Sequence, residues 1–167
     1  MKISGSHTLP VNQQRAYEVL QDPVILARCM PGCDRLDKVG EDSYEMKMKM
    51  LIASINGLFD GKVRIADQNP HTSFKLIVEG AGRIGFIKGE GLLTLTPNEH
   101  GTQVGYDGDV HVGGTIASVG QRLIDATSKM MIKRFFDKLV SEVAGDPKQN
   151  GLPTPGSPGK TASGSPS

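Results

Sequence analysis

The residues with chemical capacity are few and scattered. Cys29 and Cys33, the only cysteines, are separated by three residues in CMPGC. A structural zinc site takes four ligands, and this C-x3-C pair, with no histidine near it in sequence, supplies two. The pair reads as free thiols packed around a Pro-Gly turn, because a free cysteine behaves as a small hydrophobe; a redox or metal role is the alternative. Gly80, Gly82 and Gly85 fit the G-x-G-x-x-G pattern. That pattern holds a dinucleotide where it follows a strand and opens a helix. Phe86 to Thr96 alternates like a strand, so a glycine-rich hairpin is expected instead. Asp107, Asp109 and His111 share one face at period two, a spacing able to hold a surface metal; alternation with apolar residues makes a solvated outer face the simpler reading. Lys129, Lys133, Arg134 and Lys138 form a basic stretch diluted by Asp125 and Asp137. It reads as a solvated helix face, with acidic lipid headgroups or an acidic partner as the alternative. Tyr106 alone among the residues assigned inward carries a useful proton. Its simplest role is a core tyrosine with a satisfied hydroxyl.

These residues must be positioned by a small chain. At 167 residues it has room for one domain with one core. Nineteen basic and 18 acidic side chains give a net charge of +1. That balance argues against nucleic acid, which needs a concentrated basic surface. With no Trp and only 5% aromatic residues, base-stacking platforms are disfavoured too. The N-terminal MKISGSHTLPV lacks the apolar run of a secretory signal, and no stretch nears the roughly 20 apolar residues of a membrane span. A cytoplasmic protein is expected. From Asp146 to Ser167 Gly, Pro, Ser and Thr dominate, and Leu152 is the only large apolar residue. Such a segment cannot bury enough apolar surface to offset its ordering entropy. A folded domain over 1–145 and a disordered tail over 146–167 follow.

Along the domain the periodicity changes in order. Lys2 to Leu9 predicts a strand ended by Pro10. Asn12 caps a short helix through Leu20, and Asp22-Pro23 starts a second through Arg28. Met30-Pro31-Gly32 is a turn. Tyr44 to Met50 alternates without fault, with Met46, Met48 and Met50 on one face. Phe59, Gly61, Val63 and Ile65 oppose Asp60, Lys62 and Arg64. Phe74, Leu76 and Val78 form a third inward set, and Gly89, Gly91, Leu93 and Leu95 a fourth. Val104, Tyr106, Val110 and Val112 complete the antiparallel run, each strand having one covered face. After Gly113-Gly114 the period becomes helical from Ile116 to Val143, about 40 Å at 1.5 Å per residue. Ile116, Val119, Leu123, Ala126 and Met130 are read as its sheet-facing stripe, with Ile124 and Met131 at the margin. A second stripe, Ile132, Phe135, Phe136, Leu139, Val140 and Val143, is rotated from the first. It is assigned to packing on the short helices, or alternatively to an exposed docking face.

Gly61, Gly80, Gly89, Gly91 and Gly108 all fall on the inward face, where missing side chains would leave voids that a close-packed core avoids. Methionine suits a pocket that adapts to its guest. An apolar cavity is therefore expected, lined by Met30, Pro31, Met46, Met48, Met50, Phe59, Val63, Phe74, Leu76, Val78, Tyr106, Val110, Ile116, Val119, Leu123, Met130 and Met131, with an ordinary methionine-filled core as the alternative.

The segments ARCMPGCDRL (27–36), GRIGFIKGEGLLTLTP (82–97) and GGTIASVGQRLID (113–125), followed by Phe135-Phe136, resemble the carbon monoxide dehydrogenase CoxG family of the SRPBCC superfamily. The resemblance covers roughly 1–145. It implies an α+β helix-grip fold of the START type. A curved antiparallel sheet of about seven strands would wrap around a long C-terminal helix, with two short helices after the first strand. It also implies an accessory role beside molybdenum hydroxylases such as carbon monoxide dehydrogenase: maturation, membrane recruitment, or carriage of a lipid-like electron acceptor. Met30-Pro31-Gly32 would lie near the cavity mouth. Some relatives end in a hydrophobic anchor, which this tail lacks, so membrane contact is expected to be transient and peripheral. The expectation is a non-catalytic accessory protein with no metal or covalent cofactor, holding an isoprenoid quinone or other lipid. The alternatives are a cyclase- or hydrolase-type enzyme and a protein-only assembly factor.

Overall fold

The computed structural model describes residues 1–144; the tail expected over 146–167 lies outside the described residues. Strands β1 (Lys2–Leu9), β2 (Cys33–Gly40), β3 (Ser43–Ile52), β4 (Ile55–Asn69), β5 (Ser73–Gly82), β6 (Gly85–Asn98) and β7 (Gly101–Gly113) are accompanied by three α-helices. The strands form one antiparallel sheet in the order β1-β7-β6-β5-β4-β3-β2. Helices α1 (Gln13–Val19) and α2 (Pro23–Cys29) follow β1, and α3 (Gln121–Ala144) ends the domain. The expected helix-grip architecture is therefore present.

Local chemistry explains the element boundaries. The Asn12 side chain accepts from the Arg15 amide at 2.8 Å, and Asp22 accepts from the Val24 amide at 2.9 Å. Each cap satisfies an amide that the first turn leaves open. The glycine-rich motif forms the β5–β6 hairpin: β5 ends at Gly82 and β6 begins at Gly85, with no helix to receive a phosphate. β2 has no counterpart among the expected strands. It is an edge strand carrying Asp34, Arg35, Asp37 and Lys38, and Leu36 is its one apolar residue packed against the core. One inward apolar side chain is too little periodic signal to mark a strand, and charge on an edge discourages pairing with other chains.

The helix expected from Ile116 is two pieces. A 3-10 turn spans Thr115–Val119, and α3 starts at Gln121 after Gly120, whose φ of 97° sits in the region that favours glycine. Thr115 does not cap; Gly114 occupies that position without a side-chain hydrogen bond. The break resets the helical phase, so the stripe begun at Ile116 and Val119 does not continue along α3. Leu123 is 37% exposed and Met130 41%, and Ala126 is exposed as well. The second stripe instead faces the core, with Phe136, Leu139 and Val143 buried and Ile132, Phe135 and Val140 packed against them. The docking-face alternative for that stripe is thereby overturned.

Candidate functional site

Buried apolar residues form two separate clusters. The larger holds Leu9, Val11, Tyr44, Ile65, Phe74, Leu95, Val104, Phe136, Leu139 and Val143, joined to α1 and α2 through Ala16, Tyr17, Val19, Leu20 and Cys29. The smaller holds Ile52, Phe59, Ile116 and Ile124, with Met50, Ile84, Ile87, Val112 and Val119 at its margin. α3 touches both, through Ile124 near its start and Phe136, Leu139 and Val143 in its second half. Between them, Ser128 and Met131 lie on the same helix face, half-buried. Against the sheet, α3 approaches β1 and β3, near the two edges, more closely than the central strands.

Strand register shows what lies between the clusters. Gly61 pairs with Gly80, Val78 with Gly89, Gly89 with Val110, and Gly91 with Gly108. These residues form a diagonal band across β4, β5, β6 and β7. It continues onto β1, where Gly108 pairs with Ile3 and Tyr106 with Gly5. At about 4.8 Å per strand, β4 to β1 spans about 19 Å. Met46 and Met48 of β3 flank the band at its other end, and neither belongs to either cluster. The band is a furrow with a low floor, separating two packed ends.

The glycines do not all leave space. A Cβ at Gly61 would lie 2.9 Å from Met46 Cγ, so the methionine already covers that position. At Gly108 a Cβ would lie 2.8 Å from the Glu90 carbonyl oxygen, so glycine is required by the close approach of β6 and β7, not by a void. Gly80 differs, because a Cβ there would meet only ordinary contacts at 3.8 and 3.9 Å. The voids inferred from glycine count are thus partly filled, and the furrow is narrower than five missing side chains would make it. Two surface concavities lie elsewhere, on the outer face of β2 to β4 and beside the β5–β6 turn.

At the β1 end three rings align. His7 stacks on Phe136 with centroids 4.4 Å apart and planes within 12°. Tyr106 lies parallel to His7 at 6.1 Å and 6°. The Tyr106 hydroxyl sits over Gly5, where an added Cβ would be 2.6 Å away. Burial pushes the His7 imidazole below its ordinary value, against the carboxylate of Asp137, while Lys133 adds to the lowering. Elsewhere burial pushes the Cys29 thiol up to about 11 and raises that of Cys33. Protonated thiols are poor nucleophiles and poor ligands, and both cysteines are free. Asp109 holds the Met1 ammonium at 3.1 Å; with Asp107 and His111 it makes no metal cluster, and none is found among the described residues. Nor is any helix among them long and apolar enough to cross a membrane.

The pattern matches the family described as carbon monoxide dehydrogenase CoxG over residues 5–144. The chain belongs to that family. A conserved protein from Geobacillus kaustophilus is 36% identical with a TM-score of 0.81, covering 86% of this chain and 95% of that one. A START superfamily protein from Mycobacterium smegmatis is 12% identical, with a TM-score of 0.65 over 86% of this chain and 97% of its own. A protein from Chromobacterium violaceum is 14% identical, with a TM-score of 0.65 over 87% and 99%. These two share the fold alone. No curated protein matches the chain.

In this member of the CoxG family the residues expected to line a cavity divide into four groups. Met46, Met48, Val78, Val110 and Met131 border the furrow. Met30 and Pro31 lie in the α2–β2 turn, tied to β3 where the Lys49 amide donates to the Gly32 carbonyl at 2.8 Å, one residue from Met48. Phe59, Phe74 and Ile116 are core residues at 4%, 1% and 2% exposure, and Met50, Val63, Leu76, Tyr106 and Val119 pack at cluster margins. Leu123 and Met130 are exposed on the far side of α3 and do not belong to the interior set, for the phase reason given above. His7, Ser128 and Phe136 lie outside the expected site residues. Alternation of His7 with Ile3 and Leu9 along β1 is the available signal for the first of them.

Proposed function

We propose that this chain is a non-catalytic accessory protein that holds an isoprenoid quinone or similar lipid in the furrow beneath α3. It serves a molybdenum hydroxylase of the carbon monoxide dehydrogenase type. The observation that carries the reading is the separation of the apolar interior into two clusters, with methionine, valine and bare backbone between them. A helix that bridges near both edges of a curved sheet leaves its middle for a guest. Apolar burial would supply most of the affinity, at roughly 25 cal/mol per Å² before ordering costs. Methionine walls adapt to a flexible chain. Membership in the CoxG family supports the choice of partner, and the START-type fold supports a lipid as the guest. Delivery from the membrane calls for peripheral contact with the inner leaflet, for which the exposed Leu123 and Met130 beside Arg122, Lys129 and Arg134 are suited.

Native mass spectrometry of protein purified from its own host, followed by lipid extraction, tests the proposal. Recovery of one apolar molecule per chain is expected. Repeated recovery of empty protein that also fails to take up added quinone would end the carrier reading and leave a protein-docking role.

A further inference from the structure

The furrow is apolar at its β3 end and polar at its β1 end. The polar end consists of the Tyr106 hydroxyl and the His7 imidazole, held parallel on neighbouring strands, with Phe136 of α3 stacked over His7. Both side chains are half-buried, and Phe136 is 5% exposed. Among the described residues neither the hydroxyl nor the ring nitrogens have a protein hydrogen-bond partner. The other two tyrosines differ: Tyr17 donates to Gln68 Oε1 at 2.6 Å and Tyr44 to the Gln21 carbonyl at 2.7 Å. A neutral imidazole has one donor and one acceptor, and a phenol hydroxyl donates freely. Polar groups fixed at one end of an apolar site set the orientation of a guest and select its head group.

We infer that His7 and Tyr106 are the head-group anchor of the furrow, selecting an apolar molecule whose planar head carries a hydrogen-bond-accepting carbonyl. Its hydrocarbon tail runs toward Met46 and Met48. This rests on the carrier reading, and supplies the chemical class and direction of the guest. A pure hydrocarbon leaves the hydroxyl and imidazole desolvated without partners, which weakens its binding relative to a carbonyl-bearing molecule. Phe136 prevents His7 from swinging away, so the donor geometry is set before the guest arrives.

The test compares a decyl-substituted benzoquinone with decylbenzene by isothermal titration calorimetry on the full chain. Wild type should bind both, the quinone more tightly. Tyr106→Phe and His7→Phe should each weaken the quinone about tenfold, the size of one lost hydrogen bond, and leave decylbenzene within about twofold. Imidazole nitrogen NMR signals of His7 in the wild type should shift with the quinone and stay fixed with decylbenzene, a readout that needs no variant. Unchanged quinone affinity in the folded variants, or unmoved His7 signals in a quinone-bound wild type, would overturn the anchor and leave the furrow reading standing. Failure of the wild type to bind either probe would overturn both.

Discussion

The two ends of the concave face are built to different standards. The larger cluster seals β1, β7 and the second half of α3 against α1 and α2, with Leu9, Val11, Val104 and Leu139 fully inaccessible. The smaller cluster rests on Ile52, Phe59, Ile116 and Ile124, and begins at a helix broken by Gly120. Close packing at one end and sparse packing at the other means that the first carries stability and the second can yield. An apolar guest can enter such a molecule by displacing the thin end without unfolding the thick one, since local opening draws on the least-packed region.

Substitutions can break or sharpen that contrast. The largest effect is expected for Leu139→Ala, which removes a side chain from the sealed end and should cost about 3 kcal/mol in urea unfolding. Gly108→Ala forces a Cβ to 2.8 Å from the Glu90 carbonyl oxygen. It should cost about 1–3 kcal/mol as β6 and β7 part. Gly80→Ala, where the same atom meets contacts of 3.8 Å, should instead stabilise by about 0.5 kcal/mol through the unfolded chain, while weakening uptake of a benzoquinone probe. Equal destabilisation at Gly80 and Gly108 would show that the furrow floor is packed throughout.

A smaller effect is expected from pH. Burial lowers His7 from 6.5 in the folded state, so below that pH the unfolded chain binds the extra proton first. Stability contributed by neutral His7 is present above pH 6.5 and is lost as pH falls through the folded value. Melting temperatures across pH 5 to 7 should therefore decline toward acid, and His7→Phe should flatten the His7-dependent part of the decline. The smallest difference concerns the thiols. Cys29 is 3% exposed with its thiol pushed up to about 11. It should react with an aromatic disulfide at pH 8 more slowly than half-buried Cys33, as followed by release of the coloured thiolate.

How far the sequence reaches depends on how strongly each segment announces its own geometry. Alternation in β3 is unambiguous because apolar and charged residues succeed one another without exception from Tyr44 to Met50. β2 is hidden because an edge strand buries little and its alternation is written in charges. The candidate site is half legible. Met46 and Met48 follow from the alternation of their own strand, whereas Leu123 and Met130 reach the interior only if a helical phase is extended through Gly120. His7 lies far from Tyr106 and Phe136 in sequence, and no local pattern announces a ring stack assembled from β1, β7 and α3.

By itself the sequence determined the element order, the helix caps at Asn12 and Asp22, the glycine hairpin at Gly82–Gly85 and the family, since each depends on neighbours a few residues apart or on motifs read in order. The tertiary structure alone decided which stripe of α3 faces inward, which glycines are covered and where the two cores stop short of each other. Those depend on how a curved sheet and a helix share volume, a property of distant residues brought together that no local periodicity encodes.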